Sequence, residues 1–250
     1  MPRQRPSDRP RPSSARRGGG RDRRPAGPSG PERVAKIMAR RGMCSRREAE
    51  RLIGAGQVLV DGQVMREQGC KAALNARIEL ADMGQGWLDN QVTVILNKPV
   101  GVVSTQPEGG QVPAWKLLTR EHLHGSGDPA AIERVLAHPY YLNVAGRLDK
   151  DSRGLLVLTQ DGVLARRLTG GSIAKVYQVA VDRDPTPEQI DAMRGQRELD
   201  GKALRPMQIR RRGPRQLRFE LREGRKHQIR RVCEQAGLRV TDLERVAIGP

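Results

Sequence analysis

Six aromatic residues, Phe219 with three tyrosines and two tryptophans, are all that this 250-residue chain contains. Any core must therefore be assembled from Val, Leu, Ile, Ala and Met. Apolar residues make up 36% of the chain, below the usual share for a globular protein, so part of it is expected to stay outside a core. Residues 1–30 fit that description. They hold nine Arg, two Asp and six Pro, with Gly and Ser between them, and too few aliphatic side chains to offset the entropy of ordering. The composition predicts a disordered Arg/Pro/Gly-rich arm over residues 1–31, accounting for +7 of a formal net charge of +18.

That charge makes nucleic acid the leading partner, ahead of an anionic membrane surface. No run approaches the roughly 18 apolar residues of a membrane span, and no amphipathic apolar helix accompanies the charge, so no membrane partner is expected. The Arg-rich start lacks the apolar stretch of a secretory signal. Cys44, Cys70 and Cys233 are odd in number and far apart, which argues against a disulfide framework and fits a reducing, cytoplasmic setting. The four histidines, His122, His124, His138 and His227, lack zinc-site spacing, so no metal is expected. There is no dinucleotide fingerprint, Walker sequence or nucleophile elbow, so most cofactor enzymes are excluded and no cofactor is expected. A monomer is the default.

From Glu32 the pattern becomes periodic. Val34, Ile37 and Met38 share one helical face. Ser45-Arg46-Arg47-Glu48 reads as a capping box opening a second helix to about Ile53, where Gly54 and Gly56 stop it. Val58–Val60, Asp61-Gly62 and Gln63-Val64 read as two short strands around a tight turn, and 77–81 as another strand. Arg40, Arg41, Arg46, Arg47 and Arg51 gather on and between the two helices, either as a phosphate-binding face or as an ordinary solvated one. The segment ERVAKIMARRGMCSRREAERLIGAGQVLVDGQVM resembles an S4 RNA-binding domain, and that likeness spans 32–81. Residues 82–91 are polar and contain glycines, which reads as a linker.

Residues 92–250 mix many strands with few helices, which points to an α+β domain with a mixed, mostly antiparallel sheet. Strands are expected at 92–96, 155–158, 175–182, 206–211, 216–222 and 239–248. Helices are expected after Asp161-Gly162, after Thr186-Pro187, and over 226–236 before Gly237. The stretch 106–146 is loop-rich.

Within this region lies Gly146-Arg147-Leu148-Asp149-Lys150-Asp151-Ser152-Arg153-Gly154-Leu155-Leu156-Val157-Leu158-Thr159. Taken alone, Asp149 before a strand is an ordinary turn residue. The pattern GRLDxxxxGLLxLT nevertheless closely resembles the catalytic-Asp motif of the RsuA/RluB/RluF-type pseudouridine synthases. Leu96-Asn97-Lys98-Pro99-Val100-Gly101 resembles the family's Lys-Pro-x-Gly strand end, and Lys175-Val176-Tyr177 its K-x-Y strand. Glu223-Gly224-Arg225-Lys226-His227-Gln228-Ile229-Arg230 resembles its E-G-x-x-H-Q-I/V-R helix start. The motifs occur in family order behind an S4-like module, and the likeness covers 32–250. RLDKDS and the L-E-R-V ending look most like the RluF-type branch. Family members usually continue beyond Ala247–Pro250, which makes the last sheet edge the element to check.

The resemblance implies a small S4 (αL-type) RNA-binding domain followed by an α+β pseudouridine synthase domain. The implied reaction is isomerisation of a specific uridine in rRNA. The implied partner is 23S rRNA or a large-subunit particle, with tRNA left open as a second substrate. Asp149 becomes the catalytic carboxylate, either as a nucleophile at C1′ or as the base that removes the C2′ proton. Arg230 becomes a cation holding that carboxylate ionised; on spacing alone it reads as an i,i+4 partner of Glu234. Tyr177 becomes a stacking surface and proton relay for a flipped base. Arg147, Ile229, Lys98 and Lys226 are expected to bind substrate, although Ile229 fits an apolar helix stripe equally well and the two lysines could be structural. A non-catalytic S4-bearing RNA-binding protein is the competing reading.

Overall fold

The computed structural model describes residues 30–125 and 127–249. Apart from Gly30 and Pro31, the arm expected over 1–31 lies outside the described residues. Two hydrophobic clusters form, one in each half of the chain.

The first half is built on α1 (Val34–Arg40) and α2 (Arg46–Gly54). Val34, Ile37 and Met38 are fully buried, as their spacing requires. The Ser45 hydroxyl accepts from Glu48 N, and Glu48 Oε2 accepts from Ser45 N at 2.5 Å, so the expected capping box is formed. Three strands follow, β1 (Val58–Val60), β2 (Gln63–Met65) and β3 (Ile78–Leu80), in the order β2-β1-β3. Residues 82–91, read as a linker, instead contain helix α3 (Asp82–Asp89). Gly84 suggested a break. It is buried where a Cβ would press on Gln57, so the glycine permits close packing of the helix.

The second half is organised by a seven-stranded sheet. Its strands are β4 (Thr93–Lys98), β5 (Asn143–Val144), β6 (Arg153–Thr159), β7 (Lys175–Val181), β8 (Gln208–Gly213), β9 (Gln216–Leu221) and β10 (Val240–Ile248). The order is β8-β9-β7-β10-β6-β4, with β5 also paired to β6. Every pair is antiparallel except β10 with β6, so the sheet is mixed and mostly antiparallel, as expected. The last strand, flagged from the sequence as a sheet edge, is interior. Helices α4 (Pro129–Ala137), α5 (Gly162–Thr169), α6 (Pro187–Gly195) and α7 (Gln228–Gln235) complete the domain. The core is mainly aliphatic, with Val179, Leu156, Leu158, Leu217 and Ile209 alongside Phe219 and Tyr177 and with Met193, Met207 and Cys233 filling between them.

One carboxylate joins the two halves. Glu48 is 5% exposed. Beyond its capping role, its Oε1 accepts from Gly162 N and Gln91 Nε2, both at 2.9 Å. Arg166 donates to the Ala39 carbonyl at 3.1 Å, adding a second tie between α5 and α1. A Cβ at Gly162 would collide with Ser45, so this approach requires glycine.

Candidate active site

Asp149 sits on the loop entering β6, with its side chain 37% exposed. The backbone around it is held at every carbonyl from Gly146 to Asp151. Arg245 donates to Gly146 O at 2.9 Å and to Arg147 O at 3.4 Å. Ser104 Oγ donates to Leu148 O at 2.6 Å and accepts from Leu148 N at 2.9 Å. Ser152 N donates to Asp149 O at 3.1 Å, and Gly101 N to Lys150 O at 2.9 Å. Lys98 Nζ also approaches Lys150 O, at 3.5 Å. Arg230 donates to Asp151 O at 2.7 Å. The loop is thus fixed by three other segments of chain, at 98–104, Arg230 and Arg245, while the Asp149 carboxylate remains open to solvent.

The Arg230 guanidinium, expected beside the Asp149 carboxylate, donates instead to the Asp151 carbonyl and reaches the Val240 carbonyl at 3.5 Å. The group facing the carboxylate is His227, whose Nε2 is 3.7 Å from Asp149 Oδ1. His227 is held in a left-handed conformation, φ 53°, at the start of α7. Gln228, which is 3% exposed, locks the turn before it by accepting from Arg225 N and donating to Glu223. The sequence contained the signal for His227, since it stands inside the E-G-x-x-H-Q motif, but no role was drawn from it.

Tyr177 is 9% exposed on β7 and pairs with Phe219 on one side and Arg245 on the other. Its hydroxyl makes no hydrogen bond among the described residues. Arg147 and Lys226 are exposed, and both flank the Asp149–His227 pair in sequence.

Two expected substrate contacts are corrected. Ile229 is 3% exposed within the main core, so the apolar helix stripe accounts for it. Lys98 is completely buried, and its ammonium also donates to Pro99 O at 2.8 Å and Val102 O at 2.7 Å. Those bonds hold the 98–102 turn against the Asp149 loop and leave nothing for RNA. Burial pushes the Lys98 amine down to about 8, while the Asp151 and Asp149 charges oppose that shift.

Arg245 was not foreseen. It is 2% exposed and has no carboxylate partner among the described residues; its Nε also donates to Leu155 O at 2.8 Å. Gly154, with φ +100°, lies opposite it in the parallel pair, and a Cβ there would overlap the Arg245 carbonyl oxygen.

The basic face of the first half divides. Arg46, Arg47 and Arg51 surround a hollow of about 390 Å³ together with Arg33 and Lys36, which the sequence reading had not included. Arg40 pairs with Glu32 at 2.6 Å, and Arg41 donates to the Leu74 and Ala76 carbonyls. These two therefore brace the module. A larger cavity of about 880 Å³ lies between β4 and α4, away from Asp149, and is lined by residues such as Val94, Leu118 and Ile132.

The chain matches the family model for RNA pseudouridylate synthases over residues 92–235 and that for the S4 domain over residues 32–71. It is 33% identical over 226 residues to the dual-specificity RNA pseudouridine synthase RluF of Salmonella typhi, covering 86% of this chain and 70% of that one. It is 32% identical over 240 residues to an uncharacterized RNA pseudouridine synthase of Mycobacterium leprae, covering 88% and 84%. A crystal structure of a pseudouridylate synthase, 23% identical, shares the fold with a TM-score of 0.55 over 87% of this chain and 89% of that one. The ordered motifs, the sheet that carries them and a family match over more than half of its length agree, and the chain belongs to the RNA pseudouridine synthase family, with an S4 domain ahead of the catalytic domain.

Proposed function

We propose that this protein isomerises one uridine of ribosomal RNA, in 23S rRNA or a large-subunit particle, to pseudouridine in the cytoplasm. Asp149 is the reacting carboxylate. The observation that carries the reading is the contrast at residue 149: a half-exposed carboxylate on a loop whose carbonyls are all held. Such rigidity maintains a reacting group in near-attack geometry, which is worth several kcal/mol of barrier.

The chemistry is a rearrangement without change of oxidation state. The N1–C1′ bond breaks with its electron pair on uracil N1. The base turns, C5 bonds to C1′, C5 loses its proton and N1 gains one. Asp149 either adds to C1′ and is later displaced, or removes the C2′ proton to give a glycal and later returns it. Both routes begin from the carboxylate. The base must first leave its stack. Tyr177 offers a ring for it to rest on, and Arg147 and Lys226 offer cations for the flanking phosphates. Arg230 acts on Asp149 through the Asp151 carbonyl, as a positioning residue. Arg33, Arg46, Arg47 and Arg51 form the S4 docking face, with Lys36, paired to Glu32, at its edge.

The test is tritium release from unmodified 23S rRNA labelled at uracil C5, comparing wild type with Asp149→Asn. Release by wild type alone supports the reading. Release by Asp149→Asn at a near wild-type rate would refute the role of Asp149. Absence of release from both, on naked rRNA and on assembling large-subunit particles, would overturn the substrate.

A further inference from the structure

We propose that the β8–β9 ribbon is a second RNA-docking surface, separate from the S4 module, whose arginines contact backbone phosphates a few nucleotides from the reacting uridine. This rests on the RNA-substrate reading above. Five arginines fall between residues 210 and 218. Arg211 pairs with Asp184 at 3.3 Å. The guanidinium groups of Arg210, Arg212, Arg215 and Arg218 have no hydrogen-bond or ion-pair partner among the described residues. Arg210 and Arg218 are moreover direct cross-strand partners. Like charges facing one another in a sheet are destabilising, so the fold alone gives no reason for the pair.

Charged residues on an edge strand can serve simply to block pairing with another chain. That explanation covers β8, which is an edge, but not Arg218, which lies on the interior strand β9, nor Arg215, which lies in the turn. An anionic partner accounts for all four.

The register places the surface usefully. Gly213 pairs with Gln216, Gln216 with Ala180, and Ala180 with Asp242, two rows beyond the Glu244–Arg153 pair. The ribbon's turn is therefore at the end of the sheet from which the Asp149 loop enters β6. Four strand spacings separate β8 from β6, roughly 19 Å across the sheet. The exposed Arg239, just before β10, lies along that same rim. The S4 module meets the domain past the other end of β6, at Gly162 and Arg166. Ribbon and module thus grip RNA at two separated places.

The experiment measures binding of full-length protein to in vitro transcribed 23S rRNA between low and moderate KCl. The proteins are wild type, a ribbon variant (R210Q/R212Q/R215N/R218Q) and an S4 variant (R46Q/R47Q/R51Q). Each lost phosphate contact lowers the slope of log affinity against log salt by roughly 0.7–0.9. The ribbon variant is expected to lose two or more such increments and at least about tenfold in affinity. Its melting temperature should be unchanged or higher, because the Arg210–Arg218 repulsion is gone. A ribbon variant with wild-type slope and affinity, beside an S4 variant that loses both, would overturn the ribbon while leaving the RNA reading intact. A drop in melting temperature would show the arginines to be structural and would also overturn it. Failure of wild type to bind RNA would remove the RNA reading, and the ribbon with it.

Discussion

Arg245 and Tyr177 are direct cross-strand partners on β10 and β7, and the same arginine clamps the Gly146, Arg147 and Leu155 carbonyls. The residue proposed as the stacking surface and the loop that bears Asp149 are thereby referenced to one buried guanidinium. The planar guanidinium fork spans these three separated carbonyls through three different nitrogens; a lysine ammonium presents its donors from one point and cannot span them.

Arg245→Lys is accordingly expected to fold and bind RNA while losing turnover on the order of 10²-fold, since displacement of a reacting group by an ångström has that effect. The fall should appear in single-turnover rate with KM little changed. A KM rise at constant kcat would contradict a positioning role. Arg245→Ala leaves three carbonyls short of a donor and is expected to destabilise the fold by about 3 kcal/mol or more, read from denaturant melts.

Gly154→Ala addresses the other side of that contact. At φ +100° a Cβ is strained, and here it would also overlap the Arg245 carbonyl oxygen. The substitution should cost about 2–3 kcal/mol and lower activity together with stability. A wild-type melting curve would disprove the close approach.

Glu48→Gln tests the joint between the halves. The carboxylate accepts from three N–H groups, and an amide turns one of its oxygens into a donor. A stability loss of about 1–3 kcal/mol is expected. The S4 module should also become more susceptible to limited proteolysis at residues 90–92, whereas intact resistance would show that other contacts hold the joint.

Lys98 carries a pH signature. Burial pushes its amine down to about 8 from an ordinary value of 10.5. Between those values the unfolded chain binds more protons than the folded one, so this group makes stability rise with pH across that window, by on the order of 3 kcal/mol at most. Lys98→Met should lack that component. Parallel stability–pH curves for wild type and variant from pH 8 to 10.5 would disprove the depressed value.

Sequence made the regular elements and the Asp149 motif readable because those depend on neighbours in the chain. The Ser45–Glu48 box and the aliphatic face of α1 are of this kind. What stayed hidden depends on distant partners. Gly84 looked like a break in a linker, because its fit against Gln57 comes from 27 residues away. Lys98 beside a proline read as either an RNA contact or a structural one, and nothing local shows three carbonyls converging on its amine. Arg40 and Arg41 looked equivalent to Arg46 and Arg47, yet Glu32 and the 74–76 turn engage the first two. Arg245 read as one alternating residue of a last strand, while its contacts lie 90 to 99 residues earlier.

That separation in sequence has a temporal side. During synthesis the S4 module, β4 and the Asp149 loop leave the ribosome well before β10, and domains emerge and fold from the N-terminus onward. Until β10 inserts between β7 and β6, Gly146 and Arg147 lack their clamp and Arg153 lacks Asp242. A nascent chain arrested before residue 240 is thus expected to hold RNA through its S4 module without rearranging uridine, so that the emergence of β10 itself switches the catalyst on.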